Sequence, residues 1–201
     1  MCWDEQTSWT TLFIGTVVNL YILWDLFQRK DNGLEIAIMT YWQFALLMQL
    51  PEALIWRSEG TDKSAIQLAF WLNVLQPVYV YVVTFAFMSP QNRLLTSVFI
   101  AVYLGYILFN LKSLSMNVLK KGCPHLSFSW WEDAIATILY FVTTVVVLLA
   151  LPSPLLRYTT LALFGGSYLL TTWLYPCSYG SMWCWSIAFA GILTYVMICN
   201  T

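Results

Sequence analysis

The sequence predicts an all-α integral membrane protein, a bundle of seven transmembrane helices forming one domain over residues 1–201. Three observations predict it. The chain is 60% hydrophobic and only 9% charged, where a soluble domain carries about 25% charged residues. Its mean hydropathy is +0.69. Seven apolar segments, separated by breaker-rich connections, approach the ~20 residues needed to cross a ~30 Å hydrocarbon core. Eleven tryptophans supply side chains that anchor helices at headgroup level. The expected partner is therefore the lipid bilayer. A net charge of −1 leaves no basic surface for nucleic acid.

The segments run in order as follows. Span 1 covers Trp9–Phe27 and span 2 covers Ile36–Trp56. Span 3 is Ala65–Phe87, span 4 Leu94–Leu111 and span 5 Glu132–Leu151. Span 6 is Leu155–Leu174 and span 7 Met182–Ile198. The first fifteen residues contain Asp4 and Glu5 but no basic residue. A signal peptide needs a positive n-region, so span 1 is expected to be retained. Separators such as Ser89-Pro90-Gln91-Asn92 and Pro152-Ser153-Pro154 break helices by fixing φ or removing an N–H. Only the connection from Lys112 to Trp131 is long, and no second domain fits. Spans 2 and 6 carry no matching motifs, which argues against an inverted-repeat transporter.

Charge does not orient the bundle. One side carries Arg29, Lys30, Arg93 and Arg157, and the other Arg57, Lys63, Lys112, Lys120 and Lys121. Four basic residues against five give no bias. Cysteine placement is the better guide. Cys2, Cys123, Cys177 and Cys184 fall on the N-terminal side, and Cys199 on the other. Disulfides persist in oxidising compartments, so an outside or lumenal N-terminus and a cytosolic C-terminus are expected. The pairing stays open, because four cysteines allow three connectivities. Free buried thiols are the alternative.

The functional expectation centres on Met48-Gln49-Leu50-Pro51-Glu52 in span 2. An ionisable group at membrane depth is costly and marks a functional site by default. Pro51 lacks an N–H, so it should bend the helix and bare the Leu47 carbonyl. Gln49 and Glu52 then share a face. Asn73 and Gln76 do the same in span 3, where Pro77 should bare the Asn73 carbonyl. Asn19 adds an amide in span 1. Asn19, Gln49, Glu52, Asn73 and Gln76 are thus expected to converge on an outward-facing polar cavity. The plainer alternative is an interhelical clasp, in which such groups satisfy each other at modest gain.

Other features carry weaker signals. Gly165-Gly166-Ser167 suits close helix packing, and Asp25 with Arg29 suits a surface ion pair. His125, the only histidine, lies in the long connection beside Cys123, and Trp183 opens span 7. Both are candidates at the outer face. Zinc usually needs at least three protein ligands, and one His with scattered Cys does not make such a set. There is no Gly-rich phosphate loop and no Ser/His/Asp arrangement. No catalytic residue, cofactor or metal is therefore assigned. Span 7 has no Lys for a retinal Schiff base.

Three stretches in this order resemble the signatures of an uncharacterised multi-span membrane family of bacteria, algae and large DNA viruses. Leu75-Gln76-Pro77-Val78-Tyr79 resembles its Q-P-[LF]-[FY] motif in the third span. Cys123-Pro124-His125-Leu126-Ser127-Phe128 resembles its C…H-L-x-W motif, with Phe128 in place of the aromatic and Trp131 beyond it. Ser181-Met182-Trp183-Cys184-Trp185 resembles its S-[IM]-W-C-[FWY] motif. In span 2 the family reads M-E-x-x-Q, whereas Gln49 and Glu52 stand here with acid and amide exchanged. The family has no established activity, so the resemblance implies an architecture and candidate positions, not a reaction.

These readings give a first expectation of ion, proton or small-solute transport, or ligand binding, at the polar cavity. The alternatives are a membrane-embedded enzyme using His125 and Glu52, and a receptor-like or scaffolding protein with a filled core. Solute and oligomeric state are not readable from the chain.

Overall fold

A computed structural model describes residues 4–29, 32–114, 118–119, 126–176, 183 and 189–200. The fold is helical. Helix α1 spans Glu5–Gln28, α2 Gly33–Leu46, α3 Gln49–Arg57, α4 Lys63–Val74 and α5 Gln76–Thr84. Then follow α6 at Pro90–Phe109, α7 at Ala134–Leu149, α8 at Pro154–Leu174 and α9 at Ala190–Cys199. Short 3₁₀ turns cover Phe85–Phe87 and Ser129–Glu132.

The connections start helices for local reasons. Asp4, Asp62, Ser89, Asp133 and Ser153 each accept a backbone N–H from the first turn that follows, at 2.6 Å for Thr7 and 2.8 Å for Ala136. This satisfies donors that the helix leaves open. Pro90 and Pro154 stand at the first position of α6 and α8, where no N–H is missed. Arginines close two turns. Arg93 donates to the Phe85 and Ala86 carbonyls at 3.0 and 2.7 Å, and Arg157 donates to the Leu151 carbonyl.

The structure departs from the expected spans in the second and third. Each is two helices. The α2–α3 break falls at Leu47–Met48, one turn before Pro51. The Leu47 carbonyl is not bare as expected, because it accepts the Leu50 N–H at 3.0 Å. The α4–α5 pair bends by 45° at Leu75, just before Pro77. Helices α1 and α6 are long and apolar enough to cross a membrane alone, and the bent α4–α5 pair makes a third candidate. Helices α7 and α9 are apolar but shorter.

The core is built on α2 and α3. Ile38, Met39, Tyr41, Trp42, Ala45 and Leu46 are all buried. Helix α1 packs along α2, α3 and α9; α2 also meets α5, and α3 meets α4. The second half is a chain of neighbours, α5 to α7, α6 to α7, α7 to α8 and α8 to α9. The long connection folds back on itself. Val118–Leu119 pairs antiparallel with Ser127–Phe128. The chain then tucks inward, with Phe128 stacked on Trp130 at 4.4 Å and Trp130 edge-on to Phe70 at 5.6 Å.

Candidate functional site

The polar residues expected to converge are all deeply buried. Asn19, Gln49, Glu52, Asn73 and Gln76 are each at most 2% exposed. They sit in three neighbourhoods, two of them at the helix breaks.

The first lies at the start of α3. The break places Gln49 at the head of the helix and Glu52 one turn on, as the i, i+3 spacing requires. Gln49 Nε2 donates to Glu52 Oε2 at 3.1 Å. Gln49 Oε1 has no partner among the described residues. An orphaned buried acceptor costs about 1–3 kcal/mol. A carboxyl and an acceptor oxygen within one helical turn can receive a proton, a cation or a donor group of a small ligand.

The second is a seam where α1, α2 and α9 meet. Asn19 Nδ2 donates to Gln43 Oε1 at 3.2 Å, and Gln43 Nε2 donates to Thr16 Oγ1 at 3.2 Å. Asn19 Oδ1 has no partner among the described residues. It lies so close to Gly191 that a Cβ there would stand 2.6 Å away. Trp42 Nε1 donates to Thr194 Oγ1 at 3.0 Å alongside. Gln43 and Thr16 were missed from the sequence, although Gln43 carries the same signal as Gln49, an amide inside an apolar run.

The third surrounds the α4–α5 bend. Tyr140 of α7 donates to Gln76 Oε1. Tyr103 of α6 donates to the Val74 carbonyl, opened by the break, at 2.8 Å. Asn73 lines a small void of about 20 Å³ with Phe70, Tyr103, Ile107, Trp130 and Tyr140. Neither tyrosine was legible as a site residue, since an aromatic side chain in an apolar run reads equally as core.

The remaining candidates divide. His125, Cys2, Cys123, Cys177 and Cys184 lie outside the described residues. Cys199 is free and exposed. Trp183, an outer-face candidate, is wholly buried. Its Nε1 donates to Ser167 Oγ at 2.9 Å, and it stands edge-on to Phe164 at 5.0 Å and Tyr140 at 5.9 Å. The physical reason is that α7 and α8 present a ring of aromatics with one serine acceptor, which suits an indole better than water does. Gly165 and Gly166 do not serve close packing, because a Cβ at either would meet nothing within 4 Å. The Asp25–Arg29 pair forms as expected, and it reaches across to α9, where Tyr195 donates to Asp25 Oδ2 at 2.7 Å. Among the described residues no three His, Cys, Asp or Glu side chains gather into a metal-binding group.

Comparison of the chain with known protein families, with curated proteins and with solved structures finds no match.

Proposed function

We propose that this chain is a seven-span, multi-pass membrane protein that moves or binds an ion, a proton or a small solute at the Gln49–Glu52 site. In this reading α2–α3 and α4–α5 each form one broken span, and the N-terminus is outside or lumenal. Broken helices at membrane depth are a recurring way to expose backbone and side-chain groups to a transported species. The single observation that carries the reading is the pairing at the α2–α3 break. A carboxyl with no solvent exposure bonds an amide whose oxygen is left without a described partner. The ordered motifs in spans 3, 4–5 and 7 are in keeping with a multi-span family, and they name no solute.

The test is flux in sealed vesicles. Proteoliposomes loaded with a pH-sensitive dye report proton movement, and a sodium-sensitive dye reports cation movement. Glu52→Gln keeps the shape and one acceptor while removing the charge. Loss of flux in a variant with unchanged helicity and elution supports the reading. Equal flux, or none in the wild type, removes it.

A second reading is favoured by one observation. All five polar side chains are at most 2% exposed, which suits a closed clasp in a receptor-like or scaffolding protein. Under that reading, Glu52→Gln, which keeps a hydrogen-bonding side chain at the break, leaves the fold intact and changes no flux.

A further inference from the structure

We draw no further inference here: the strongest candidate, the side-chain cluster of Asp25, Arg29, Tyr195 and Cys199 that ties the end of α1 to α9, rests on one exposed thiol whose hydrogen bonds lie within the cluster, and no observation among the described residues points to a ligand there.

Discussion

The α2–α3 and α4–α5 segments each contain a proline and an amide near the break, yet the breaks are held in different ways. At α2–α3 the repair is local. The Leu47 carbonyl turns to the Leu50 N–H, and Gln49 bonds Glu52 within the same helix. At α4–α5 the repair comes from other helices. Tyr103 of α6 takes the Val74 carbonyl, and Tyr140 of α7 takes Gln76. The first break leaves Gln49 Oε1 unsatisfied among the described residues. The second is pinned between neighbours. A break pinned by neighbouring helices is a structural bend, and one that carries a buried carboxyl is the better candidate for a working site.

The largest effect should come from the local repair. Gln49→Leu removes the described donor to Glu52 and should cost about 1–3 kcal/mol, the range for a buried polar group that loses its partner. Unfolding in sodium dodecyl sulfate, read by Trp fluorescence, measures it. A cost below the scatter of the titration would mean the pair is idle. The imported repair should be weaker per contact. Tyr103→Phe orphans a backbone carbonyl, and Tyr140→Phe orphans Gln76 Oε1, at about 1–2 kcal/mol each. If both tyrosine changes exceed Gln49→Leu in the same titration, the comparison is inverted and α4–α5 becomes the more heavily stressed break.

The turn joining α3 to α4 offers a gain. Glu59 has a φ of 52° and Gly60 a φ of 81°, while the Gly60 N–H bonds the Ile55 carbonyl at 2.8 Å in a helix-ending loop. A side chain in the left-handed region costs about 1 kcal/mol relative to glycine. Glu59→Gly should therefore stabilise by up to ~1 kcal/mol, visible as a higher midpoint in the same titration. No gain would mean that the Glu59 side chain contributes a compensating contact.

The smallest effect lies outside both spans and is a function of pH. The Thr7 backbone N–H holds the Asp4 carboxyl below its ordinary value. A depressed acid contributes stability above its unfolded pKa and loses it as pH falls through the folded one. Asp4→Ala should thus cost at most ~1 kcal/mol at neutral pH, reduced by solvent exposure, and nothing once the pH is well below ~3.9. A cost that is the same at both pH values would show that the charge plays no part in the cap.

Much of this was legible in the chain because it depends on short-range physics. The starts of α6 and α8 followed from Ser89-Pro90 and Ser153-Pro154. The shared face of Gln49 and Glu52 followed from helical spacing. The Asp25–Arg29 pair followed from i, i+4 geometry. The partners did not. Nothing local distinguishes Tyr103 and Tyr140, which hold the α4–α5 bend, from other aromatics in apolar runs. Nothing local told Trp183 to bury against Ser167 rather than face outward. Asn19 was expected beside Glu52, but its described bond is to Gln43.

By itself, then, the sequence determined that the protein is helical and apolar, where its helices begin and where prolines break them. Those properties come from hydropathy, backbone donors and φ restriction, which act within a few residues. Only the tertiary structure decided which helix answers each broken carbonyl and buried amide. Those choices depend on which helix faces lie opposite one another, and in an apolar protein nearly every face looks alike to the sequence until packing selects one.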